Sequence, residues 1–380
     1  MSLLGLASTV IVIGGLTVGL ASGPNTFVRS DPGFGPSSPG SPTGGSELSA
    51  ATLSLHAGDG PAHGPSSAGS TDPPSVRTYS SMAYDAKDGY VLLFGGYCDG
   101  LGGHCTVSQQ TWTYVGGNWT ELTPAKSPSP RWGAGMTYDS ADRCIVLFGG
   151  FTPQSYLNDT WEFSHGKWTK VRTASAPNPQ KFVTMTYDAK DGYVVLFGGL
   201  GKIYPGGPVG FLGDTWTYAG GIWTNVSTRP HPSARYGEGL AYDRSAGYIL
   251  MFGGYTSTPK GPVAVNDTWR FQGGVWKQLF PGSNPSPRYL ASMAFDTADG
   301  YLVLFGGRTT SGGYLNDTWT FSGGTWGQSL ESKGPAPRDG ASLAFDAKDG
   351  YLVLFGGTSG PYGYFNDTWT FARGTWNQVQ

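Results

Sequence analysis

Short apolar runs recur along most of this chain, and each is closed by a glycine doublet. The doublets stand at 95–96, 149–150, 198–199, 253–254, 306–307 and 356–357. The fifth repeat shows the pattern. Residues 291–296 alternate small and large side chains, the period of a strand. Residues 297–300 end in Gly300 and read as a tight turn, where glycine supplies a positive φ. Residues 301–305 are continuously apolar and predict a strand buried on both faces. Gly306 and Gly307 mark a place where backbones approach too closely for a side chain. After a variable loop, residues 318–321 and 325–328 predict two more strands. Each repeat therefore reads as a four-stranded antiparallel sheet.

Tryptophans confirm the register. Trp112/Trp119, Trp161/Trp168, Trp216/Trp223, Trp269/Trp276, Trp319/Trp326 and Trp369/Trp376 pair at fixed spacing and leave only Trp132 outside the pattern. A period of about 50 residues signals a repeat architecture. One such sheet cannot bury both of its apolar faces, whereas six arranged radially can. The fold class expected is all-β: a six-bladed β-propeller with four antiparallel strands per blade. The blades fall near 76–124, 130–173, 179–228, 234–281, 287–331 and 337–380.

The repeat resembles the kelch family. The resemblance is legible in Arg338, then Phe355-Gly356-Gly357, then Asn366-Asp367-Thr368-Trp369, then Trp376, and it covers residues 76–380. Gln180 replaces the arginine in the third unit, and Gln110 replaces the aspartate in the first. Many kelch propellers close by borrowing a strand from the other terminus. Here the six units look complete, so closure is expected from packing of the first unit on the last, with residues 51–55 as a possible extra strand.

Composition supports an all-β chain. Of 380 residues, 62 are glycine and 27 proline; aromatics reach 14% and charged residues only 13%. A net charge of −2 excludes an electrostatic footprint for nucleic acid. Residues 2–22 are apolar and uncharged, which suits a cleaved signal peptide or a membrane anchor. Residues 23–75, rich in Gly, Pro and Ser, read as a flexible linker. Either reading of the N-terminus places the repeats at the cell surface or outside the cell. Cys98 and Cys105 flank one loop and suit a disulfide, with two free thiols as the alternative. Cys144, inside an apolar run, reads as a buried hydrophobe.

Antiparallel connectivity sorts the loops onto two faces. One face carries short uniform turns. The other carries the variable loops after each glycine doublet, rich in Tyr, Phe and Gly; Tyr97, Tyr204, Tyr255, Tyr314 and Tyr362 are ligand candidates there. Arg77, Arg131, Arg235, Arg288 and Arg338 share one register and are expected to ring the channel mouth on that face. They read either as an anion-binding rim or as ion-pair partners of a neighbouring blade. Glu238 stands where other units have Ser80, Ala134, Val183, Ala291 or Ala341. It reads as an ion-pair partner of Arg235 or another arginine, or as a general acid/base. The recurrent Asp159, Asp214, Asp267, Asp317 and Asp367 are expected to hold turn backbone. No histidine has zinc-ligand spacing, so no metal or cofactor is expected. The sequence thus points to a monomeric recognition module for a glycan or protein. Its alternative is a sugar-modifying enzyme, since some exported six-bladed kelch proteins that this chain resembles in layout are sialic-acid mutarotases that use Glu and Arg.

Overall fold

Six apolar runs become six second strands, each with one face toward the preceding sheet and one toward the next. The computed structural model describes residues 73–100, 104–330, 333–361 and 363–379. The expected N-terminal leader, the linker up to residue 72 and the strand expected at 51–55 lie outside the described residues. Among the described residues there are strands and turns but no helix.

Six four-stranded antiparallel sheets repeat in chain order among the described residues. Sheet 1 holds Ser81–Asp85, Tyr90–Phe94, Thr111–Val115 and Asn118–Leu122. Sheet 2 holds Gly135–Asp139, Cys144–Phe148, Thr160–Ser164 and Lys167–Val171. Sheet 3 holds Thr184–Asp188, Tyr193–Phe197, Thr215–Ala219 and Ile222–Asn225. Sheet 4 holds Gly239–Asp243, Tyr248–Phe252, Thr268–Gln272 and Val275–Leu279. Sheet 5 holds Ser292–Asp296, Tyr301–Phe305, Thr318–Ser322 and Thr325–Gln328. Sheet 6 holds Ser342–Asp346, Tyr351–Phe355, Thr368–Ala372 and Thr375–Gln378. These strands follow the sequence reading to within a residue or two. The loops hold more order than the sequence suggested. Tyr97–Gly100 pairs with His104–Val107, and Leu200–Lys202 lies between Gln180–Lys181 and Val209–Phe211.

The core lies between the sheets. Val91 and Leu93 pack with Val353 and Phe355 of sheet 6, whereas Leu92 and Phe94 pack with Ile145 and Leu147 of sheet 2. All eight side chains are essentially inaccessible to water. Burying one such chain contributes about 1.5–3 kcal/mol. Both faces are therefore apolar, which is why the runs do not alternate. Each first strand also lies beside the first strand of the next sheet, and Ser342–Asp346 lies beside Ser81–Asp85.

A second set of links joins the sheets at their outer strands. The second tryptophan of each pair donates its indole N–H to the threonine that opens the third strand of the preceding sheet. Trp168 donates to Thr111, Trp223 to Thr160, Trp276 to Thr215, Trp326 to Thr268 and Trp376 to Thr318, at 2.9–3.1 Å. Trp119 of sheet 1 donates to Thr368 of sheet 6 at 2.9 Å. The tryptophan fills apolar space while its one polar atom is satisfied by a neighbour.

Candidate binding face

The repeated arginines are buried within the fold, which corrects the reading of an anion-binding rim. Arg77, Arg131, Arg235, Arg288 and Arg338 are each 1% exposed. Arg131 forks onto both carboxylate oxygens of Asp159, at 2.6 and 3.0 Å, and donates to the carbonyl of Gly149. Arg235–Asp267, Arg288–Asp317 and Arg338–Asp367 repeat that geometry. The partner is the aspartate of the same sheet, not of a neighbouring blade. The same aspartates accept the indole N–H of Trp161, Trp269, Trp319 and Trp369 at 2.7 Å. They therefore bind side chains, where turn backbone was expected. Burial pushes the Asp159 and Asp317 carboxyls up, but the Arg131 and Arg288 guanidiniums outweigh it and hold both below the ordinary carboxylate range. In sheet 1, where Gln110 replaces the aspartate, Arg77 donates to the Gln110 side chain at 2.7 Å. The aspartates ending each first strand do hold turn backbone: Asp85 accepts the N–H of Lys87 and Asp88.

Two positions after these arginines, and after Gln180 in the third repeat, the backbone turns left-handed. Tyr79, Gly133, Phe182, Gly237, Leu290 and Gly340 have φ of 56°, 65°, 55°, 67°, 56° and 61°. Large side chains alternate with glycine through this series. A Cβ at Gly340 would run into the Tyr79 ring, and one at Gly237 would stand 3.0 Å from Leu290 Cδ2. Backbone hydrogen bonds link the series: Tyr79 N–H to Gly340 O (2.8 Å), Gly133 N–H to Tyr79 O (2.9 Å), Leu290 N–H to Gly237 O (2.6 Å) and Gly340 N–H to Leu290 O (3.0 Å).

Around this series lies a network of aromatic rings. Trp132 meets Tyr79, Phe182, Tyr97 and Phe151 with centroids 5.3–5.9 Å apart. Phe182 stacks on Tyr236 at 5.1 Å and 17°. Tyr236 continues to Phe211, Tyr255 and Tyr289. The Lys181 ammonium stands 4.3 Å from the Trp132 ring centre and 4.6 Å from that of Phe151. Backbone bridges set this arrangement, pairing Trp132 with Phe151, Tyr236 with Tyr255, and Tyr289 with Arg308.

This face belongs to a recognisable repeat. The model of the KLHDC2/KLHL20/DRC7 Kelch-repeats domain matches residues 81–278 and 244–380. The chain belongs to the kelch-repeat family. Kelch repeats typically mediate protein binding and are generally binding or scaffold modules. No curated protein matches the chain significantly.

Among the kelch-repeat positions read from sequence, Tyr97 and Tyr255 join the aromatic network, and Tyr314 lies under the Arg308 guanidinium at 5.1 Å. Tyr204 is 58% exposed on a loop outside the network. Tyr362 lies outside the described residues. The strand register sets Cys98 opposite Thr106 and Cys105 opposite Asp99; the side chains of both cysteines lie outside the described residues. Cys144 is buried and free, and burial pushes its thiol up to about 12.

Glu238 is buried, but among the described residues the ion pair expected for it does not form. Its carboxylate accepts from the Thr184 hydroxyl, and its Oε2 has no hydrogen-bond partner among the described residues. Burial pushes this carboxyl up to about 7, against the hydrogen bond from Thr184 and the charge of Arg235. A second buried acid, Asp339, was not singled out from sequence. It stands where other repeats have Thr78, Trp132, Lys181, Tyr236 or Tyr289. Burial raises it to about 7 as well, opposed by Arg308 and by a hydrogen bond from Tyr79 at 3.2 Å. The comparison of repeats that exposed Glu238 would have exposed Asp339 had it started one residue after the arginine.

Proposed function

We propose that the six sheets close into a six-bladed propeller, and that this chain is an exported recognition module holding its partner on the variable-loop face. The aromatic network centred on Trp132, Phe182 and Tyr236 carries the reading. Rings partly exposed at a rigid surface offer contact area at little entropic cost, which suits a protein or glycan ligand. In this reading the chain acts as a monomer. Export rests on the apolar residues 2–22. It is tested by N-terminal sequencing of the protein recovered from medium and membranes.

The deciding experiment screens wild type, Trp132→Ala and Tyr236→Ala against immobilised proteins and glycan arrays. Loss of a wild-type ligand in both variants, with unchanged unfolding temperatures in their remaining core, supports the reading. Undiminished binding by both variants overturns it.

One observation favours a second reading, a sugar-modifying enzyme: the raised carboxyl of Glu238 suits acid/base work near neutral pH. Its hydrogen-bonding neighbour is Thr184, and no arginine forks onto it. Turnover of acidic sugars that Glu238→Gln abolishes would establish this reading; equal turnover by both forms removes it.

A further inference from the structure

We propose that the corner formed by Tyr79, Tyr289, Arg308, Tyr314 and Asp339 is a subsite for a neutral sugar ring. This inference rests on the loop face being the binding face and names the ligand class for one sector of it.

Two side chains break the repeat side by side. Asp339 is the one acid at the first rung of the loop ladder, where the other repeats have Thr78, Trp132, Lys181, Tyr236 and Tyr289. Arg308 occupies, in sheet 5, the rung held elsewhere by Tyr97, Phe151, Leu200, Tyr255 and Thr358. Asp339 is 1% exposed; its Oδ1 accepts from the Tyr79 hydroxyl, and its Oδ2 has no hydrogen-bond partner among the described residues. Arg308 Nε is likewise buried without a hydrogen-bond partner among the described residues. Among the described residues these two form no ion pair, although four other arginines fork onto aspartates. An orphan acceptor and an orphan donor in one corner cost stability and add nothing to the fold.

A ligand that satisfies both must donate to the carboxylate and accept from the guanidinium. A hydroxyl does both. An anion would meet Asp339, and a cation would meet Arg308, so a neutral ligand fits best. A sugar ring carries several hydroxyls on a rigid frame, and its C–H faces stack on aromatic rings such as those of Tyr289 and Tyr314. Both orphan atoms are closed to solvent, so engagement requires the partly exposed Arg308 to swing off Tyr314.

The test uses a panel of neutral and acidic mono- and oligosaccharides, together with a peptide array, on wild type, Asp339→Asn and Arg308→Gln. Trp132→Ala serves as the marker for the rest of the face. The expected result is a neutral saccharide bound by wild type and weakened at least tenfold by each corner variant, with both variants retaining a cooperative unfolding transition. Binding of acidic sugars only, of no sugar, or of a peptide through these residues overturns the proposal. If Trp132→Ala abolishes binding while the corner variants bind as wild type, the sugar corner fails and the binding face stands. If none of the three matters to a bound ligand, the reading of the face fails too.

Discussion

Gly340 carries no side chain because the ring of Tyr79 occupies the space a Cβ would need, and Tyr79 in turn donates its backbone N–H to Gly340 O at 2.8 Å. The two residues stand just ahead of the first strands of the last and first sheets, 261 positions apart in sequence. Gly340 also sits at φ 61°, where an L side chain is strained by about 1–2 kcal/mol. Gly340→Ala should therefore lower stability by about 2–4 kcal/mol. Tyr79→Ala should recover the steric part in the double variant. Chemical denaturation of the four proteins measures the coupling.

Thr368→Val removes the acceptor of the Trp119 indole without changing side-chain shape. An unsatisfied buried N–H costs about 1–3 kcal/mol. The same change at Thr268, which serves Trp326 within the chain's middle, should cost a similar amount if sheets 1 and 6 are joined as firmly as sheets 4 and 5. A silent Thr368→Val beside a damaging Thr268→Val would show that the first and last sheets are not coupled.

Removing one partner of a buried pair leaves the other charge stranded. Arg131→Gln should destabilise by about 3–5 kcal/mol, read from urea midpoints. Asp159 and Asp317 titrate below the ordinary carboxylate range in the folded state. Their stabilising contribution is present above the unfolded value and is lost as pH falls through the folded one. Wild type should lose stability in acid more steeply than Asp159→Asn.

Glu238 and Asp339 act in the opposite direction. Each carboxyl rises to about 7 on folding, so the native state holds protons that the unfolded state releases. Their presence costs least below the ordinary carboxylate range, and stability falls as pH climbs toward about 7. A rise from 4.5 to about 7 corresponds to about 3 kcal/mol at most. Glu238→Gln should unfold at higher denaturant than wild type at pH 8 and match it near pH 4. Equal gains at both pH values would refute the assignment.

Cys144 should resist alkylation in the native protein at pH 8, because burial holds its thiol protonated and out of reach. Mass spectrometry before and after denaturant should show modification only once the chain unfolds.

The sequence by itself determined the repeat. Apolar runs such as 301–305, glycine doublets and paired tryptophans state a local pattern, and local pattern sets strand and turn because backbone sterics and side-chain periodicity act over a few residues. It also determined that the loops of one face vary. Only tertiary structure decided what the repeated arginines do. Arg131 and Asp159 stand 28 residues apart, and nothing in the sequence chooses between an exposed rim and a buried fork until the strands bring them together. The alternation of Tyr79, Gly133, Phe182, Gly237, Leu290 and Gly340 was likewise present in the sequence. Its meaning depends on a neighbouring sheet placing an atom of Tyr79, Phe182 or Leu290 where a glycine's Cβ would stand. Asp339 and Glu238 became legible as buried acids for the same reason: burial is a property of the assembled sheets, and a carboxylate's charge is decided by what surrounds it.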